Sequence, residues 1–331
     1  MIRLLLVAAL AVAAPPAPEV RCTVTDDRLA ELSGMVVADG EVWAMSDGGR
    51  SVQVHRLDPG GSGGGCEIVD TRTADVDPFD AEDLALGPDG EFWVADTGDN
   101  ERSRETVAAI VLPVRGEARL HRFAYPDGPH DAEAMLVDAD GVPFVITKEV
   151  GTPAGVYRPT SAPEGRGPFP LERVAQVSLP VSDTEGGPVG GIGSRTVTGA
   201  AMSTDGRVVA LRTYTDAWLF PVVDGDIATA LQGEPARVPL AGEPQGEAVT
   251  FEADGTLLSA SETRGGVPGE LRAVPGAAAL AAQPFTPPAD TPAEPVAEPA
   301  PEWLPALIGG GVAVGLLVLL AAALSWRARR R

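Results

Sequence analysis

Short apolar runs alternate with polar breaks along most of the chain, and one arrangement returns five times: an apolar stretch, Asp-Gly, then a second apolar stretch. The copies run from Ser33 to Asp47, Glu82 to Asp96, Glu133 to Thr147, Thr198 to Arg212 and Glu247 to Ser261. Asp-Gly between two such runs signals a tight hairpin, because glycine takes the positive φ these turns need. The glycines are Gly40, Gly90, Gly141, Gly206 and Gly255, with spacings of 50, 51, 65 and 49 residues. Further strand-like runs follow each copy, from Ser51 to Leu57 and Cys66 to Arg72 in the first unit to Glu270 to Val274 in the fifth. A period near fifty residues with several strands per unit predicts an all-β fold, a β-propeller of five blades. A sixth is the alternative, if the long gap before Thr198 hides a degenerate blade. The fifth unit is short of a last strand, and Val20 to Thr25 is predicted to supply it and close the ring. No internal stretch sustains a 3.6-residue period, so helices are expected only at the two ends.

Those ends change the picture from a free domain to a tethered one. Residues 1–14 carry one charge, Arg3, then an unbroken apolar run that closes on small residues, which reads as a cleavable signal peptide. An uncleaved anchor is the alternative, although the run is short for a membrane span. Residues 20–282 hold the propeller, and residues 283–302 form a Pro/Ala/Glu-rich spacer. Residues 303–326 read as a single transmembrane helix. Its uncharged part reaches roughly 34 Å at about 1.5 Å per residue. The basic tail, residues 327–331, then points to the cytoplasm by the positive-inside bias and leaves the propeller extracytoplasmic.

The formal net charge is -22, and Lys148 is the single lysine. That excess of acid excludes nucleic acid as a partner of the exported part. What remains is a small-molecule or protein ligand outside the cell, with the membrane met through the C-terminal helix. The two cysteines, Cys22 and Cys66, both lie in the exported region, where a disulfide is the default and a pair of free thiols the alternative.

In a propeller, the loops that lead into the first strands and those that leave the second strands open on one face. Glu82, Glu133 and Glu247 lead into first strands, with Ser33 and Thr198 in the equivalent places. Asp47, Asp96, Asp99, Lys148, Glu149, Asp216 and Glu262 leave second strands. A ring of carboxylates repels itself unless a cation or hydrogen-bond donors sit among them. Hard oxygen ligands point to calcium or magnesium, and a calcium site is expected from some of Glu82, Asp96, Asp99, Glu133, Glu149 and Glu247. The competing reading leaves these acids solvated, or pairs them with Arg50, Lys148, Arg195 and Arg212 to lock the blades together. His55 and His121 are expected on the surface of outer strands, and His130, beside Asp131 and Glu133, is the one histidine within reach of the mouth. The glycine-rich stretch from Gly186 to Gly193 is expected to be a loop. Neither a phosphate loop nor a zinc motif occurs.

The repeat, with an acid after its second apolar strand as in Gln245-Gly-Glu247 through Glu262, resembles secreted bacterial propellers of the phytase-like esterase group. It also resembles the gluconolactonase and senescence-marker propellers. The resemblance spans Arg28 to about Pro275. It implies a divalent metal in the channel and hydrolysis of phosphoesters or lactones, although two of the five units lack the leading glutamate and basic residues for a polyphosphate are sparse. The sequence therefore supports an extracytoplasmic, membrane-anchored binding or scaffolding propeller with calcium as candidate ion, and a metal-dependent hydrolase as the alternative.

Overall fold

A computed structural model describes residues 16–60 and 64–282. The signal peptide, spacer, transmembrane helix and basic tail expected from the sequence lie outside these residues. Among the described residues, no helix is long and apolar enough to cross a membrane.

The described chain is all-β and propeller-like, built of five four-stranded antiparallel units. Their inner strands are Leu32–Ala38, Ala81–Leu86, Ala132–Val137, Val197–Met202 and Gly246–Phe251. Each pairs with the strand after its Asp-Gly turn, and two further strands continue outward. In the fifth unit the fourth strand comes from the other end of the chain: Glu19–Thr23 pairs antiparallel with Glu270–Val274, and the two-residue strand Gly64–Gly65 adds in parallel beyond it. The ring is closed by the N-terminal strand, as the missing last strand predicts. The Cys22–Cys66 disulfide joins that closing strand to the first unit, helped by a bond from the Cys66 N–H to the Thr23 carbonyl at 2.8 Å.

The Asp-Gly signals mark the five inner turns, but the turns are of two kinds. Asp39 and Gly40 both have positive φ, 54° and 80°, and form a two-residue loop between Leu32–Ala38 and Glu41–Ser46. The other four are longer. In each, the glycine N–H returns to a carbonyl three residues back, as from Gly141 to Asp138 at 3.0 Å and from Gly206 to Ser203 at 2.8 Å.

Apolar side chains pack between neighbouring units. Trp43 of the first unit meets Phe92 of the second with ring centroids 5.2 Å apart, and Trp218 and Phe220 pack with Phe144 and Ile146 between the third and fourth. The outer strands of the second and third units also pair, in parallel, at Phe123–Ala124 and Phe169–Pro170. Helix is not confined to the ends: Ile227–Ala230 is a short α-helix whose first turn is capped by Asp226, which accepts the Thr229 N–H at 3.0 Å. Gly190–Arg195 of the glycine-rich stretch is 3-10 helix. His55 and His121 are buried, not on the surface. His55 bonds the Thr71 hydroxyl at 2.9 Å, and His121 bonds the Gly165 carbonyl at 2.6 Å and stacks on Trp93. An imidazole with a local partner and an aromatic neighbour is stable inside, which strand position alone does not reveal.

Candidate functional site: the acidic mouth

Every inner strand breaks register at its start, and the residue left over at each break is Ser33, Glu82, Glu133, Thr198 or Glu247. A bulge turns one side chain away from the regular alternation. Here it releases the five equivalent positions from the packed faces between units and gathers them at one end of the central channel. The Ser33 hydroxyl bonds the Glu82 carbonyl of the next unit, and Thr198 bonds the Gly246 carbonyl at 2.9 Å. The two short hydroxyls stitch neighbouring units together, while the three glutamates are buried with their carboxyls in the mouth.

Lys148, on the loop leaving the second strand of the third unit, inserts among them. Its Nζ pairs with Oε1 of Glu133 and lies 5.7 Å from the ring centroid of Tyr214, contributed by the fourth unit. One ammonium faces three buried carboxyls. Burial, then Glu133 and Asp80, push the Glu82 carboxyl up to about 10, with Lys148 opposing. Burial raises Glu133 and Glu247 well above the carboxylate range. Burial alone would pull the Lys148 ammonium down, but Glu133, Tyr214 and Glu247 outweigh it and hold it protonated. Further out, burial and Glu31 hold Asp47 at about 6, and burial and Asp47 hold Glu262 at about 7. All five units thus contribute to one acidic mouth.

The other acids expected there are engaged differently. Asp96 accepts the N–H groups of Phe79 and Asp80 at 3.1 and 3.0 Å and pairs with Arg104 at 3.1 Å. Asp99 accepts the N–H groups of Ser103 and Arg104 at 2.9 and 2.8 Å. Both organise the loop leaving the second unit. Within it Gly98 has no room for a Cβ, which would run into the carboxyls of Glu82 and Asp80. Glu149 pairs with Arg102 at 2.7 Å and lies 3.6 Å from His130. His130 also bonds Asp127 at 3.0 Å and Tyr157 at 3.1 Å, so its partners are at the rim. Asp216 takes hydroxyl bonds from Ser182, Thr184 and Thr215 at 2.5–2.6 Å. Arg212 pairs with Glu243 in the interior.

The structure therefore brings Glu82, Glu133 and Glu247 together and assigns Asp96, Asp99 and Glu149 to the surrounding loops. Oε2 of Glu133 is buried and accepts no hydrogen bond among the described residues. As the side chains stand, with Lys148 between them, no group of three or more acids, cysteines or histidines among the described residues is arranged to hold a metal ion.

Two residues of this region are not singled out by sequence reasoning. Tyr214 carries no repeat signal. Asp83 is fully buried in the channel below Glu82. Its carboxylate accepts the N–H groups of Leu84 and Met135, both at 2.8 Å, and of Ala200 at 3.1 Å, from three different units. The other units have Gly34, Ala134, Gly199 and Ala248 at the equivalent position. That contrast, one acid among four small residues, is the signal that could have found it.

The ring of four-stranded units defines the class as a β-propeller. No family model and no curated protein matches the chain. Among solved structures it is similar to a gluconolactonase from Xanthomonas campestris, with 16% identity over 80% of this chain and 89% of that one and a TM-score of 0.42. A PQQ-bound aldose sugar dehydrogenase from Streptomyces coelicolor is 14% identical over 79% of this chain and 99% of that one, TM-score 0.41. A chain of a nidogen/laminin complex is 14% identical over 70% and 72%, TM-score 0.39. The resemblance to gluconolactonase-type propellers is one of fold.

Proposed function

We propose that the protein is an extracytoplasmic binding propeller, tethered to the membrane by its C-terminal apolar segment, whose acidic mouth holds the ligand together with calcium. The observation that carries this reading is the charge imbalance at the mouth: Glu82, Glu133 and Glu247 are buried around one ammonium, Lys148. Buried carboxyls in such excess are either protonated or neutralised by a second cation. Calcium accepts carboxylate oxygens in flexible geometry, and modest affinity suffices outside the cell. The test is metal content by mass spectrometry, with melting curves of the full-length chain in calcium and in chelator. Stoichiometric calcium and a melting temperature that falls on chelation, both lost in Glu247→Gln, support the reading. Absence of metal and of any shift removes calcium from it.

A second reading, a metal-dependent hydrolase of the phytase-like or lactonase kind, draws on Glu82. A carboxyl held up at about 10 is a proton donor at neutral pH. Activity on phosphoesters or lactones that disappears in Glu82→Gln while calcium binding persists would favour it over a binding module.

A further inference from the structure

The inner strands end in a second ring, unlike the first. Four residues beyond Ser33, Glu82, Glu133, Thr198 and Glu247 stand Val37, Leu86, Val137, Met202 and Phe251, all apolar. All five line a cavity of about 640 Å³ at the face opposite the acidic mouth. Met202 is partly exposed to it, while Met35 and Met135 lie fully buried beneath, packed between units. Thioether side chains adapt to irregular guests, and the volume falls within the roughly 300–1,000 Å³ of small-ligand sites.

The rim of this cavity is acidic. Asp138, Asp140, Asp205 and Asp224 stand around it, and its lining contains no lysine, arginine or histidine among the described residues. Two of these acids serve their turns. Asp138 accepts the N–H groups of Asp140 and Val142, both at 2.9 Å. Asp205 bonds Ser203 at 2.7 Å and lies 4.0 Å from the exposed Arg207. Asp140 and Asp224 are exposed at the opening.

We propose that this second mouth is a binding site for a small organic cation with a compact apolar body, such as an alkylammonium. The apolar ring buries the body, and the carboxylates favour a positive charge at the opening while repelling anions. The site lies at the other end of the channel from the acidic mouth, with Asp83 between them, and does not depend on the function proposed for that mouth.

The test is a titration of the full-length chain, carrying isotope-labelled methionine methyls, with hexyltrimethylammonium, hexanol and hexanoate, followed by NMR. Met202 should respond to the ammonium. Met45, packed with Trp43 and Val94 between the first and second units, is the internal control and should not. Asp140→Asn combined with Asp224→Asn should weaken ammonium binding about fivefold at low salt, the order expected for exposed charges, and leave hexanol unchanged. Asp224 has φ of 52°, which asparagine tolerates. A silent Met202 methyl overturns the proposal, and so does hexanol or hexanoate binding as tightly as the ammonium.

Discussion

The carboxylate of Asp83 accepts the backbone N–H of Ala200 at 3.1 Å, across 117 residues of sequence. The inner edge of each central strand has no further strand to pair with, and a buried amide without an acceptor is costly. One carboxylate answers three of these amides, from Leu84, Met135 and Ala200. Asp83→Ala strands all three, and at roughly 1–3 kcal/mol each we expect a loss of at least about 3 kcal/mol. Asp83→Asn keeps one oxygen acceptor and should cost less. Urea unfolding midpoints of the two variants check the order.

The disulfide is expected to hold the ring shut. Cys22 and Cys66 are separated by 44 residues, and the loop-closure relation assigns a cross-link of that span about 4 kcal/mol. Reduction, or Cys22→Ala with Cys66→Ala, should release the closing strand Glu19–Thr23 before the other units melt. Hydrogen exchange should therefore show protection lost first on that strand and on its partner Glu270–Val274.

Lys148 is the counter-ion of the mouth, and Lys148→Met should be destabilising at neutral pH by about 3 kcal/mol, as for a broken buried pair. Adding Glu133→Gln removes the buried carboxyl left without its partner and should recover much of that loss. A double-mutant cycle on melting temperature reads the coupling, and strictly additive effects would show that the pair is not energetically linked.

Stability should fall as pH rises through the range set by Asp47 and Glu262. Their folded-state values, about 6 and about 7, lie above the ordinary carboxylate values of 3.8 and 4.5, so the native state binds more protons than the unfolded one in between. Their contribution is fully present below about pH 4 and lost as pH climbs through about 6 to 7. Melting temperatures measured from pH 4 to 8 should decline across that interval, and Asp47→Asn with Glu262→Gln should flatten the decline.

Much of this architecture is legible along the chain. The five Asp-Gly hairpins, the missing strand of the last unit and the cysteine pair all rest on local signals, namely turn chemistry, alternation and compartment. The grouping of Glu82, Glu133 and Glu247 follows from their equivalent places in the repeat. The fates of Asp96, Asp99 and Glu149 do not, because a carboxylate in a loop serves whichever backbone amide or arginine folds against it. His55 and His121 escape for the same reason: their partners, Thr71 and Gly165, become neighbours only when the outer strands pair.

The sequence by itself determined the strand units, their order and the positions that would lead into each inner strand, since these depend on contacts within about fifty residues. Only the tertiary structure decided what those positions face. The approach of Lys148, paired with Glu133 of its own unit, to the glutamates of other units, and the reach of Asp83 to amides of two further units, both require the ring to be closed. Closure brings distant residues within bonding distance, and the charge and burial of each side chain then depend on those neighbours.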